Sequence, residues 1–200
     1  MTDNHSVNPL LQEKSYAFLG QFKGLILDVD GVWFSGEESR LVLSSGEVAV
    51  VKSRSHQDGQ GLSFIRALGI EIVFTTGEGE PMNSIVQKLN TLPSVVSGDW
   101  KTISLFTKQL QKGGKVESIE NWLKAKELTW EDCAYIGDDR TDFEAMSMAG
   151  LKVAPANATR VIRKIADIVL EKEGGKGAIR EFAEMTLDSR GVDESNLPSA

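Results

Sequence analysis

Short, β-branched apolar runs alternate along this chain with stretches of helical period, and that alternation is the signature of βαβ units built on a mostly parallel sheet. The runs Gly24–Val29, Ile70–Thr75, Ser94–Val96, Cys133–Ile136, Lys152–Ala154 and Ile168–Leu170 read as buried strands. Helices are predicted over Gly61–Leu68, Pro81–Leu89, Val116–Leu128, Asp142–Ala149, Thr159–Ala166 and Ala178–Leu187, with Pro81 a start signal and Gly150 a stop signal. The segment from Val32 to Arg54 breaks the pattern. Two β-rich arms flank Ser44-Ser45-Gly46, so it reads as a hairpin projecting from the sheet after the first strand. The expected fold class is α/β, one domain over residues 1–190, with a flexible polar tail over 191–200 and disorder in the first several residues.

Composition narrows the partners. A 200-residue chain with 40% hydrophobic and 26% charged residues can bury one substantial core. A net charge of −7 argues against a nucleic-acid or membrane surface. One cysteine, Cys133, leaves no internal disulfide framework, and two histidines, His5 and His56, offer little for a His-based metal site. No apolar run approaches the ~20 residues of a membrane helix, and the expectation is a cytoplasmic protein.

The chemistry begins where the first strand ends. In LILDVDGV, Asp28 and Asp30 sit two apart at the carboxyl end of an apolar strand, the edge at which open parallel sheets bind ligands. A strand-ending Asp with an Asp-Gly turn behind it accounts equally well for that motif alone. A second acidic group follows another apolar strand in AYIGDDRTD, which brings Asp138, Asp139 and Asp142 into five residues. Asp139 and Asp142 also suit the start of a helix. Two such clusters superposed in space would repel by about 4 kcal/mol per pair at ~4 Å and an effective dielectric near 20. A hard divalent cation with oxygen ligands, Mg²⁺ being the usual form, removes that conflict.

LDVDGV, then Thr75-Thr76-Gly77, a lysine opening a helix, and IGDDRTD together resemble the four ordered motifs of the haloacid dehalogenase superfamily. Within it the chain is similar to small, capless phosphatases acting on 3-deoxy-octulosonate 8-phosphate and acylneuraminate 9-phosphates, through Asp58-Gly59-Gln60-Gly61-Leu62 and Gly174-Gly175-Lys176-Gly177-Ala178. The resemblance implies a Rossmann-like three-layer α/β/α fold without a cap domain. It also implies a Mg²⁺-dependent phosphatase with Asp28 as nucleophile and Asp30 as acid and base. Asp28, the Asp30 carbonyl and Asp138 would hold the metal, with Asp142 an outer partner. Thr76, through its hydroxyl and backbone, would bind the phosphoryl group, and Gly77 would let the backbone approach it. For the cation on the phosphate, Lys115 is preferred over Lys101 because its distance from AYIGDD matches the family's. Lys101 falls in a stretch, about 98–113, that reads as an insertion. Capless relatives cover their pockets by forming tetramers, so a homotetramer is expected, with the hairpin and the GGKGA segment covering a neighbour's pocket.

Substrate residues are harder to place. Trp33, Asp58, Glu78 and Lys176 are the candidates. Where the octulosonate relatives read TGR, this chain has Thr76-Gly77-Glu78, and Gln57 replaces a basic residue before Asp58-Gly59. Glu78 removes a cation that a sugar acid would use. Arg54, His56, Arg66, Lys176 and Arg180 are the residues that could compensate. The expected substrate is a phosphorylated sugar or sugar acid. The alternative is a non-catalytic or regulatory module of the same fold, associated with sugar-nucleotide synthesis.

Overall fold

The computed structural model of the chain describes residues 9–107 and 114–197. Six strands form one parallel sheet: β1 (Gly24–Asp28), β4 (Glu71–Thr75), β5 (Ile103–Phe106), β6 (Cys133–Ile136), β7 (Leu151–Ala154) and β8 (Ile168–Val169), in the order β5-β4-β1-β6-β7-β8. The apolar runs sit where both faces of the sheet are covered, and β1 and β6 are buried at every position. Two apolar clusters lie against the sheet, one containing Leu25, Leu27, Phe74 and Phe182, the other Ile26, Val73, Trp122 and Tyr135. Successive residues of β1 alternate between them, as the strand's two-residue period requires. The expected three-layer, mostly parallel α/β architecture is therefore the observed one. β2 (Glu38–Val42) and β3 (Val48–Lys52) pair antiparallel as the separate hairpin expected after the first strand.

One strand lies elsewhere than expected. Ser94–Val96 belongs to a short helical turn, α4 (Pro93–Val96), because Pro93 occupies its first turn, where a missing N–H costs nothing. The edge strand is instead Ile103–Phe106, inside the stretch read as an insertion; residues 108–113 of that stretch lie outside the described residues. It pairs with β4 from Ile72↔Ile103 to Thr75↔Phe106. Asn90, ending α3 (Met82–Asn90), holds both the N–H and the carbonyl of Ile103, at 2.8 and 2.9 Å. Lys101 thus precedes the edge strand rather than following it, and its ammonium lies 3.6 Å from Glu71.

Helix α2 (His56–Ala67) starts earlier than its apolar period suggests, because the Ser55 hydroxyl accepts from Gln57 N at 3.0 Å. It packs on α8 (Ala178–Arg190), and a Cβ on Gly61 would meet the Arg180 backbone. An unexpected helix, α1 (Pro9–Leu19), docks on the same layer, where the Arg190 guanidinium donates to the carbonyls of Leu19 and Phe22. Residues 1–8, part of the segment expected to be disordered, lie outside the described residues, as do 198–200 of the tail. From Gly191 the chain continues into a short turn at Glu194–Asn196, tied back by Arg180 to Glu194 at 2.5 Å.

Candidate active site

Four segments converge at the carboxyl edge of the sheet: the end of β1, the turn after β4, the start of α5 (Gly114–Lys126) and the loop after β6. Lys115 joins them. Its ammonium donates to Asp28 Oδ1 at 2.5 Å and to Asp142 Oδ1 at 2.7 Å, and all three side chains are almost wholly buried. Asp142 is saturated: Tyr135 donates its hydroxyl at 2.8 Å, and the backbone N–H groups of Asp138 and Asp139 donate at 3.1 and 3.2 Å. Asp142 is thus a fixed anion behind Asp28 that also shapes the loop carrying Asp138.

Burial, together with the charge of Asp142, raises the Asp28 carboxyl well above the ordinary range, with Lys115 opposing. The two aspartates outweigh burial on Lys115 and push its ammonium upward, so it stays charged. Burial, then Asp142 and Asp139, lift Asp138 to about 7. Asp138 Oδ1 is buried and has no hydrogen-bond partner among the described residues. Asp28, Asp138 and Asp142 each offer one oxygen, all within 4.8 Å of one another. An orphaned carboxylate oxygen beside two further carboxylates fits a hard divalent cation, which would remove the repulsion and supply the missing partner.

Gly31 makes this packing possible. Its φ is +92°, and a Cβ there would overlap the Asp138 carboxylate. Behind the same turn, Asn157 donates to the Gly31 carbonyl at 3.0 Å and accepts from Gly174 N at 2.7 Å, while Gly175 N donates to the Val32 carbonyl at 2.8 Å. A Cβ on Gly174 would collide with the Gly31 carbonyl. The Gly-Gly segment therefore buttresses its own chain's Asp28–Gly31 turn.

Asp30 has a different partner. It receives Lys52, at the end of β3, at 2.8 Å, and the same ammonium donates to Glu78 at 2.6 Å. Burial works against the charge on Lys52, but these two hydrogen bonds outweigh it and raise its pKa. Thr76, buried beside Asp28's strand, extends the sheet by donating its N–H to the Phe106 carbonyl at 3.0 Å, and its hydroxyl accepts from Glu78 N at 3.1 Å. The expected backbone donation from Thr76 to a phosphate is therefore already committed. Its hydroxyl hydrogen and the adjoining Gly77 remain the donors of that turn.

Two of the expected substrate residues belong to the framework. Trp33 is fully buried, with its ring 5.3 Å from Phe74 and the Arg54 guanidinium 4.7 Å over it, so it is core rather than pocket rim. Asp58 is also fully buried and accepts from the N–H groups of Gly177, Ile179 and Arg180 at 3.0, 2.9 and 3.1 Å. Gly177, the N-cap of α8, has no side chain to cap it, and Asp58 supplies the carboxylate from α2. Lys176 is exposed and pairs with Glu173 at 2.8 Å. Glu78 alone of the four reaches the site. Tyr135, Lys52 and Asn157 had not been singled out; the sequence placed Tyr135 only as a strand residue, though it sits beside the aspartates of AYIGDD.

The family profile of haloacid dehalogenase-like hydrolases matches residues 53–182. The chain belongs to that family. It is 31% identical over 173 residues to the 3-deoxy-D-manno-octulosonate 8-phosphate phosphatase of Haemophilus influenzae, covering 86% of this chain and 87% of that protein. A structure described as the same phosphatase, putatively, from Vibrio cholerae superposes with a TM-score of 0.75 at 27% identity, covering 94% of this chain and 93% of the other. The Moraxella catarrhalis phosphatase, solved with magnesium, phosphate and KDO, gives a TM-score of 0.72 at 25% identity over 90% and 93% of the two chains. This haloacid dehalogenase-like protein is a phosphoric monoester hydrolase. None of its helices, among the described residues, is long and apolar enough to cross a membrane.

Proposed function

We propose that the chain is a Mg²⁺-dependent phosphatase that transfers the phosphoryl group of a sugar phosphate or sugar-acid phosphate to Asp28 and then to water. The observation that carries this reading is the single Lys115 ammonium shared by Asp28 and Asp142 beside the orphaned Asp138 oxygen. Lys115 holds the nucleophile in one orientation and sets a fixed positive charge where the phosphoryl oxygens gather negative charge. Asp28, the Asp30 carbonyl and Asp138 would hold Mg²⁺, with Asp142 behind them. When bound there, the metal would supply positive charge to offset that brought together by the phosphate and the aspartates.

Asp28 attacks phosphorus as the ester bond breaks, and Asp30 gives its proton to the leaving oxygen. Water then attacks the phospho-aspartate, yields its proton to Asp30, and releases phosphate and free Asp28. Lys52 occupies Asp30 Oδ1, which leaves the second oxygen to carry the proton. The Asp30 side chain is 41% exposed, so it can exchange with solvent between steps. Octulosonate 8-phosphate is the substrate named for the relatives, nonulosonate phosphates belong to the same chemical class, and a cytoplasmic setting suits such substrates.

The homotetramer is part of the same reading, supported by a hairpin that leaves Leu41, Val42, Val48, Val50 and Val51 exposed. Light scattering on the purified protein checks it, and a monomer at micromolar concentration removes it. For the reaction, the test is phosphate release from a sugar-phosphate panel with and without Mg²⁺. Metal-dependent release abolished in Asp28→Asn is the expected result; wild type as inert as the mutant, while folded and metal-loaded, overturns it.

A further inference from the structure

Resting on the phosphatase reading, we infer that Tyr135 is a positioning residue that keeps Asp142 on Lys115 and off the metal. The acceptor sites of Asp142 are full. Its Oδ1 takes Lys115 at 2.7 Å and the Tyr135 hydroxyl at 2.8 Å, and its Oδ2 takes the N–H groups of Asp138 and Asp139. An ionised carboxylate has about four such sites. Asp138, by contrast, keeps a buried oxygen with no partner among the described residues. Lys115 divides itself between Asp142 and Asp28, and the two N–H groups belong to the loop that carries Asp138. A phenol has one hydrogen, and that of Tyr135 goes to Asp142 alone.

The sheet puts that hydroxyl in place. β1 lies between β4 and β6, with Thr75 level with Asp28 and Tyr135 level with Ile26, so Asp28, Thr75 and Tyr135 share one face. The same face carries the apolar cluster of Ile26, Val73 and Trp122, which a phenylalanine would fill as well. Burial and the nearby aspartates push the phenol well up, so it stays a donor, and the buried Thr75 hydroxyl meets it. Without the phenol hydrogen, Asp142 Oδ1 has Lys115 as its only donor. Lys115 is then drawn toward Asp142, its hold on Asp28 slackens, and the carboxylate group gains uncompensated negative charge in a dry setting. Such a group binds a divalent cation more tightly while its nucleophile is less well oriented. Metal affinity and turnover therefore move in opposite directions. Removing a hydroxyl that merely supports a metal ligand weakens the metal instead.

The test measures Mg²⁺ binding to the full chain by titration calorimetry without substrate, and kcat and KM on p-nitrophenyl phosphate at saturating Mg²⁺. Tyr135→Phe should lower the Kd for Mg²⁺ by about threefold or more, as loss of one hydrogen bond to a charged group allows. It should lower kcat by about tenfold and change KM by less than about twofold. Thr75→Val removes the hydroxyl that meets the phenol and should move Kd and kcat in the same directions by less. Thermal melts show whether Tyr135→Phe folds, and where it does not, Thr75→Val reads the sign. A Kd that is unchanged or weaker in the folded variant, or a kcat that does not fall, overturns the inference. Wild type that hydrolyses neither p-nitrophenyl phosphate nor any sugar phosphate with Mg²⁺ sinks the phosphatase reading. The Kd comparison, made without substrate, then still decides the part played by Tyr135.

Discussion

Asp28 and Asp30 are two residues apart, yet their surroundings are built from different parts of the molecule. Around Asp28 the partners come from the sheet and its helices: Lys115 from α5, with Asp142 behind it fixed by Tyr135 of β6 and by backbone N–H groups. All are buried. Around Asp30 the partner is Lys52, carried on a hairpin whose strands are largely exposed, and the third member, Glu78, is more than half exposed. A reaction common to many esters needs a rigid phosphate half, whereas the hairpin and the turn after β4 are exposed segments that change with little cost to the core.

That contrast makes testable claims. Asp28→Asn should lower kcat by about a thousandfold or more in phosphate-release assays, because the covalent route is lost. Lys115→Met should cost about 10²–10³ in kcat, as loss of a preorganised electrostatic donor does. The same change leaves two buried carboxylates uncompensated, so urea melts of the metal-free protein should show about 3–5 kcal/mol of destabilisation. If Lys115→Met leaves stability and turnover intact, the rigid half is not what the contacts describe.

Asp138 gives the pH dependence. Its ordinary value is near 3.8 and burial among carboxylates raises it to about 7, so the fold favours the protonated form. Without a cation, the contribution of that group to stability is whole below its ordinary value and is lost as pH climbs toward 7. A metal ion needs the ionised form. Mg²⁺ should therefore raise the melting temperature more at pH 8 than at pH 5.5, and calorimetric scans at the two values check the sign.

Smaller effects separate framework from site. Asp58→Ala removes the acceptor of three N–H groups at the start of α8 and should destabilise by about 1–3 kcal/mol, while kcat per folded molecule stays within about twofold. A large loss of kcat with stability unchanged would instead return Asp58 to the pocket. Lys52→Met should lower kcat/KM by about tenfold, less than the ~10²–10⁴ carried by an acid-base group itself. Its effect on stability should be under about 1 kcal/mol, since its partners are half exposed.

The same contrast explains what was legible in the sequence. Asp28, Asp30 and Asp138 announce themselves because each lies at the end of an apolar strand, and strand ends converge on one edge of a parallel sheet. Lys115 was reachable only through family spacing. Lys52 was not, because its contact depends on how the hairpin folds back, which no local pattern encodes. Asp58 and Trp33 looked like site residues because they neighbour motif positions. Burial, which turns one into a helix cap and the other into core, is a tertiary property. Ile103–Phe106 was hidden by its polar neighbours, and it became a strand by pairing with β4 and by the Asn90 clamp on Ile103.

The contact of Gly174 with the Gly31 carbonyl, held by Asn157, sets an order of assembly. During synthesis the strand bearing the nucleophile leaves the ribosome long before the glycines that brace its turn. Catalytic competence therefore waits on nearly the whole domain, and a nascent chain carries its reactive aspartates without the geometry to use them.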